Sequence, residues 1–372
     1  MRRVVTQLNL QESLGGGEIY TRFTLMACEA LGWGARLFVS PRATFWRSLL
    51  SSNTEIVALD SYGALERSVG SNADILLTHT ALDAHWAERI GQKTNLVGML
   101  HMPLYERFPQ GLRHYRRLIA VSKHVAKSAR ERGLQQVSDV ELLGVADTLP
   151  RGPCMPIERN SPYDWDRRKV RDRVMGWCAS VTPFRNGPRF ERIDNSLTIG
   201  IVSRLTPIKQ FPKLFETLAP VMARYPQVRL EIFGSGGYAS VRDLRRALRP
   251  CSSQVRFWGQ QADVISVYRQ LDYVISGLPE KEALGLNLIE AQACGTPVLA
   301  VSAPPFIETV LDSQTGYLFD DPRSDGGDSF ARLLERIMQL ERRLDPRKAV
   351  EHLARFSEVA FRDRLRLAFH GL

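Results

Sequence analysis

Between Leu278 and Ala300 the sequence reads LPEKEALGLNLIEAQACGTPVLA, so that a polar loop, a glycine, a helical pattern and an apolar strand follow one another without a gap. Loop, helix and strand packed this tightly belong to an alternating fold, in which strands are buried on both faces. The charged residues of the stretch restrict it further. On one continuous helix, at ~100° per residue, Glu282 and Glu290 would stand roughly 80° apart and could not converge on one point. Gly285 can take a backbone conformation that other residues avoid, which leaves Glu282 in the loop and starts a helix over Leu286–Ala293. The first N–H groups of such a helix carry partial positive charge and favour an anion such as a phosphate, beside which carboxylates commonly grip hydroxyls. Gly295, Thr296 and Pro297 end the helix, and Val298–Val301 reads as the next buried strand. Taken alone, the string also fits an ordinary helix carrying one or two solvated glutamates.

The rest of the chain repeats the alternation. Arg3–Asn9 reads as an opening strand, followed by Leu14-Gly15-Gly16-Gly17-Glu18 and a helical pattern through Tyr20, Phe23, Leu25 and Met26. Glycines at Gly16 and Gly17 let backbone approach a ligand closely, but they lack the GxGxxG spacing, so a bound dinucleotide is poorly supported and a plain tight turn remains open. Short apolar runs recur at 35–39, 56–59, 75–77, 96–100 and 118–121, which argues for a parallel sheet with helices on both faces. His101 directly follows the run NLVGML, at the carboxyl end of a strand, where open α/β sheets bind ligands. A capped core histidine fits that position equally well, and His79 and His85 carry a weaker signal. A second alternating half opens at Leu197–Ser203; Arg204 and Lys209 then lie in one strand-to-helix loop. Gly234 follows the strand Val228–Phe233, and Phe257 lies in the strand Val255–Gly259.

This order of motifs resembles glycosyltransferase family 4, whose signature is two glutamates with seven residues between them around a glycine turn. The resemblance implies an α/β fold of the GT-B type, two Rossmann-like domains with parallel sheets facing across a cleft. It also implies a retaining, metal-independent glycosyltransferase with no cofactor, whose co-substrate is a nucleoside-diphosphate sugar, a UDP- or GDP-sugar. By the same resemblance Glu282 contacts the transferred sugar and His101 the reaction centre. Arg204 and Lys209 clamp the diphosphate, an arginine by a fork of donors and a lysine as a mobile point charge. Gly16, Gly17, Gly234 and Phe257 line the donor. Gly285, Leu286 and Asn287 lie at the diphosphate, and Glu290 holds the ribose. The expected domains are 1–150 for the acceptor, a basic inserted linker or hinge at 151–195, 196–345 for the donor, and 346–372 packing back on the first domain. The linker departs from the family in being long and basic, with Arg167, Arg168, Lys169, Arg171 and Arg173 and a helical pattern at Val170–Trp177. The C-terminal helices, from about Ser329, are expected to cross back to the first domain.

Composition bounds the partners. At 372 residues with 44% hydrophobic and 24% charged side chains, the chain suits two globular domains. No apolar run approaches the roughly 20 residues needed to span a bilayer, and MRRVV leads into a strand pattern, so a cytoplasmic protein is expected. Five scattered cysteines without a CxxC pair imply reduced thiols and no structural zinc. The net charge of +10 favours polyanions. No nucleic-acid module is present, so nucleic acid is not an expected partner. A glycan or lipid-linked acceptor in cell-envelope synthesis and an anionic membrane surface are. Peripheral contact with the inner face would run through Arg113, His114, Arg116, Arg117, Lys123, Lys127, Arg130 and Arg132, for which a solvated helix face is the plain alternative. The apolar stripe Phe45, Trp46, Leu49 and Leu50 reads first as core. Two rival functions remain, a GT-B nucleotide-sugar epimerase and a non-catalytic nucleotide-sugar-binding protein.

Overall fold

The computed structural model describes residues 3–13, 15–50, 54–72, 75–147, 152–164 and 188–372. The expected helix Val170–Trp177 and the basic residues Arg167 to Arg173 lie outside them. The chain divides into two compact units, Met1–Thr148 with Ala354–Leu372, and Leu149–Leu353.

The first unit holds strands β1 (Val4–Asn9), β2 (Gly34–Val39), β3 (Glu55–Ala58), β4 (Ile75–Thr78), β5 (Asn95–Leu100) and β6 (Arg117–Ala120). They form one parallel sheet in the order β3-β2-β1-β4-β5-β6. The chain winds outward from β1 to one edge and then returns to start again beside β1 at β4. Between those two strands the connections leave in opposite directions, which opens a crevice at their carboxyl ends. Helix Gly16–Ala30 packs against the C-terminal helix Glu358–Ala368 through Phe23 and Phe361, whose rings stand 5.8 Å apart. The apolar stripe Phe45, Trp46, Leu49 and Leu50 belongs to the core, while Arg47 and Ser48 are exposed. Trp46 is buried with Ala43 and Val39, and Phe45, Leu49 and Leu50 pack against them.

The second unit repeats the plan with β7 (Leu197–Val202), β8 (Val228–Phe233), β9 (Val255–Gly259), β10 (Tyr273–Ile275), β11 (Val298–Val301) and β12 (Gly316–Phe319). Its order, β12-β11-β10-β7-β8-β9, places the same reversal between β7 and β10. Alternate residues along each strand point to opposite faces. Ile199, Ile201, Leu230, Ile232 and Ile275 join one buried cluster, whereas Val202, Phe233, Val274, Val298 and Ala300 join another, so helices cover both faces of the sheet. That double burial is why these strands read as continuous apolar runs. Helix Asp328–Met338 contributes Phe330, Leu334 and Ile337 to the first of these clusters, so among the C-terminal helices it belongs to the second unit rather than crossing back.

The described parts of the expected linker are packed on the second sheet. The Asn160 N–H donates to Trp258 O at 2.8 Å, the Arg159 guanidinium to Phe257 O at 3.1 Å, and the Gly236 N–H to Pro162 O at 3.0 Å. Phe190 stacks edge-on to Phe233 and Trp258. The segment therefore covers β9, an edge strand whose polar groups would otherwise be open to pairing with another chain. Arg192 also reaches the wholly buried Asp272, which accepts from the Thr198 N–H at 2.8 Å and pairs with Arg343 as well. One buried carboxylate thus ties the inserted segment and the C-terminal segment to β7.

Candidate functional site

In the second unit the loops after β7 and β10 carry the charged residues that the sequence singled out. Lys209 closes a 3-10 turn, Pro207–Lys209, and Glu282 lies in the loop beyond β10; the ammonium donates to the carboxylate at 2.5 Å. Both side chains are mostly buried, 24% and 12% exposed, so water screens the pair weakly. Arg204 is exposed and has no side-chain partner among the described residues. Gly234 must be glycine, because it has a φ of +154° and a Cβ there would lie 1.9 Å from Ser203 O. That close approach sets the turn after β8 against the loop bearing Arg204.

Helix Leu286–Ala293 begins directly after Gly285, whose φ of +85° and ψ of +55° are left-handed. The turn separates Glu282 from the helix, and the Leu286 and Asn287 N–H groups keep no carbonyl partner among the described residues. Phe306 lies under the turn, with a ring carbon 3.3 Å from where a Gly285 Cβ would stand. The Asn287 side chain donates to Val202 O at 3.2 Å and so fastens the helix start to the end of β7. One turn further along, Glu290 accepts a 2.8 Å hydrogen bond from the Tyr268 hydroxyl. Burial raises the Glu290 carboxyl above its usual range, while the Tyr268 hydrogen bond and the Lys209 charge oppose that shift. Phe257 stands apart from this group. It lies two positions before the end of β9, in the core, with the Arg245 guanidinium 4.3 Å above its ring.

In the first unit the corresponding strand ends carry neutral groups. Gly16 and Gly17 open helix Gly16–Ala30 after an extended Gly15. Gly17 faces the His101 ring, since a Cβ on it would lie 3.8 Å from Cδ2. Tyr20 meets the same ring edge-on at 5.5 Å. His101 Nε2 and His79 Nδ1 stand 3.0 Å apart, and His79 Nε2 stands 2.9 Å from Gln7 Oε1. Burial holds His101 down at about 4 although the residue as a whole is only half-buried, and burial together with the neighbouring His101 holds His79 well below the usual range. Both rings are therefore neutral near pH 7.

The structure thus gathers Arg204, Lys209, Gly234, Glu282, Gly285, Leu286, Asn287 and Glu290 in one unit, and Gly16, Gly17 and His101 in the other. Reading the sequence gave no role to Gln7 or Tyr268 and left His79 doubtful. A glutamine inside the apolar run VVTQLNL was the available signal, because a polar side chain buried on a central strand needs a partner.

Residues 186–359, which hold most of the second unit, match the family Glycosyl transferases group 1. A D-inositol 3-phosphate glycosyltransferase of Mycobacterium sp. (strain KMS) is 35% identical over 167 residues, 43% of this chain and 36% of that protein. A GDP-mannose-dependent monoacylated alpha-(1-6)-phosphatidylinositol monomannoside mannosyltransferase of Corynebacterium glutamicum is 32% identical over 157 residues, 40% of this chain and 38% of that protein. The chain thus spans little more than a third of the length of these curated relatives. Anabaena Alr3699/HepE, solved with UDP and glucose, superposes over 100% of both chains with a TM-score of 0.70 at 18% identity. That likeness establishes the fold, which is GT-B: two six-stranded parallel sheets in one chain.

Proposed function

We propose that the protein transfers a sugar from a nucleoside-diphosphate sugar to a hydroxyl of a glycan or lipid-linked acceptor, with retention of configuration and without a metal. The observation that carries this reading is the Lys209–Glu282 pair beside the free N–H groups of helix Leu286–Ala293. The helix start and Arg204 supply positive potential for a diphosphate, and two carboxylates flank it for hydroxyls. Lys209 and Glu282 neutralise each other across their hydrogen bond. An arriving phosphate competes with Glu282 for the ammonium, and the freed carboxylate then accepts from a sugar hydroxyl. Glu290, with one oxygen held by Tyr268, keeps the other for a ribose diol.

With two cationic side chains and a helix start to stabilise the departing diphosphate, the leaving group can take the acceptor proton as the new bond forms on the face it leaves. The GDP-mannose dependence and lipid acceptor in one relative's name, and the UDP and glucose bound to Anabaena HepE, support a nucleotide-sugar donor and are compatible with either base. Both charged pairs are intact, which speaks against a decayed binding scaffold. Contact with an anionic membrane surface from the cytoplasmic side belongs to the same proposal. No helix among the described residues is long and apolar enough to cross a membrane.

The decisive experiment incubates the full chain with UDP-, GDP- and ADP-sugars, follows the melting temperature, and assays transfer with the donors that raise it. A ligand present at 100 times its Kd stabilises the folded state by about 2.7 kcal/mol, a readily measured shift. If no nucleotide sugar shifts the transition, the proposal fails.

A further inference from the structure

We infer that Gln7 and His79 are positioning residues that fix His101 as the neutral tautomer protonated on Nε2, leaving Nδ1 as a hydrogen-bond acceptor for a substrate hydroxyl. The inference rests on the sugar transfer proposed above and on the expectation, from the family resemblance, that His101 faces the reaction centre.

The order of donors follows from one end of the chain of contacts. Gln7 Oε1 is a carbonyl oxygen and can only accept, so His79 Nε2, 2.9 Å away, carries a proton. A neutral imidazole has a single N–H, which leaves His79 Nδ1 with its lone pair. His101 Nε2, 3.0 Å from that lone pair, must then donate, and His101 Nδ1 is left bare. With the Gln7 amide turned this way, each assignment follows from the one before it. Neutrality is supported independently, since two packed imidazoles cannot both be charged at low cost and burial lowers both.

Geometry locks the result. The His79 and His101 rings lie edge to edge and nearly in one plane, 5.2 Å between centroids and 19° from parallel, as a hydrogen bond between their nitrogens requires. Gly17 and Tyr20 lie beside the His101 ring, and a half-turn of that ring would put a carbon where Nε2 stands and lose the hydrogen bond with His79. Gln7 is wholly buried on β1, and its Nε2 has no partner among the described residues. His79 alone therefore orients the amide, and the opposite amide orientation would reverse every link and make His101 Nδ1 a donor.

The placement follows from topology. Gln7 and His79 come from β1 and from the residue after β4, the two strands that flank the reversal of the first sheet, and His101 from the residue after β5. A bare Nδ1 accepts from a hydroxyl and rejects a group without a donor hydrogen. The chain would thus discriminate against a donor sugar in which that hydroxyl is replaced by fluorine.

Two-bond nitrogen–proton spectra of the ¹⁵N-labelled full chain test this directly. The expected result is a His101 signal of the Nε2–H form in the wild type and in Gln7→Glu, whose carboxylate can only accept. In His79→Phe the two tautomers should mix, and Gln7→Leu serves if that variant does not fold. A wild-type His101 protonated on Nδ1, or a His101 tautomer unmoved by both His79→Phe and Gln7→Leu, overturns the inference. In the transfer assay His79→Phe should lower kcat roughly tenfold, the worth of about one hydrogen bond, with donor KM nearly unchanged. Failure of the functional proposal is separable: nucleotide sugars would then be neither bound nor turned over, while the spectra would still report the tautomer.

Discussion

At the reversal of the first sheet, between β1 and β4, stand Gln7 and His79, both buried and both neutral. At the equivalent reversal of the second sheet, between β7 and β10, the loops carry Arg204, Lys209 and Glu282, all charged and partly open. The strand order is the same, so the backbone of each unit offers the same crevice, and the difference lies in what the side chains do with it. Neutral groups held in a fixed order of donors and acceptors suit hydroxyls, which are numerous, alike and distinguishable only by geometry. Mobile cations beside free helix N–H groups suit a diphosphate, whose charge is large and whose position need only be clamped. On the proposed function the first crevice would meet hydroxyls alone, whereas the second would meet the leaving group as well as hydroxyls.

The largest expected effect tests the neutral side of this contrast. The folded His101 has its pKa lowered from 6.5 to about 4, so between those values the unfolded chain takes up a proton that the folded chain refuses. Stability is unaffected above pH 6.5, and falls as the pH drops towards 4, by up to about 3 kcal/mol for this residue alone. The check is urea unfolding of the wild type and His101→Gln at pH 7.5 and 4.5. The variant should lose less stability on acidification, and equal losses would mean that His101 is not held neutral.

On the charged side, Lys209→Ala should lower nucleoside-diphosphate affinity by about 1.5–3 kcal/mol, roughly 10- to 150-fold. Arg204→Ala should fall at the lower end, because an exposed guanidinium works partly through screened solvent. Glu282→Gln should leave that affinity undiminished, since it frees Lys209, yet reduce transfer. Calorimetry with the free nucleoside diphosphate, beside a transfer assay, separates the three. Loss of nucleotide binding in folded Glu282→Gln would reverse the assignments of Lys209 and Glu282.

How far these features were legible depends on the distance over which they act. The helix Leu286–Ala293 and its start at Gly285 follow from a dozen consecutive residues, because a left-handed glycine and a helix start are local events. The Gln7–His79 contact joins positions 72 apart in sequence, and nothing local marks it beyond a polar residue in an apolar strand. The basic run of the first unit has partners that the sequence did not mark, for the same reason. Arg117 donates to Ala368 O and His370 O at 2.6 and 2.8 Å, and Arg130 pairs with Asp139, so positions that read as a solvated or membrane-facing surface are partly structural. Phe257 falls short of the strand end because β9 continues to Gly259, where a bulge between Ile232 and Phe233 shifts the pairing.

A smaller effect distinguishes the two carboxylates of the second unit. Tyr268 donates to Glu290 and to nothing that touches Glu282, so Tyr268→Phe should weaken nucleotides with an intact ribose diol by about 1 kcal/mol, some fivefold. Analogues lacking one ribose hydroxyl should lose less. Competition titrations with the paired nucleotides measure the difference, and equal losses would place Glu290 away from the ribose.

The smallest effect contrasts two single arginines, Arg117, which is engaged in the first unit, and Arg204, which has no side-chain partner among the described residues of the second. Helix Glu358–Ala368 ends with carbonyl groups that no further turn satisfies, and that end carries partial negative charge. Arg117 covers it from the start of β6, and Arg3 donates to Phe369 O and Leu372 O from just before β1. Replacing Arg117 by Gln removes the charge but keeps a donor, and should lower the stability of the first unit by about 0.3–1 kcal/mol at low salt. Added salt should shrink the difference, since the contacts are partly exposed. Hydrogen exchange read separately for the two units locates the loss, which should fall on the C-terminal helix and its neighbours β1 and β6. Nucleotide affinity should stay at the wild-type value, in contrast to Arg204→Ala. If Arg117→Gln instead left exchange unchanged and abolished binding to anionic vesicles, the arginine would be a surface contact and not a helix cap.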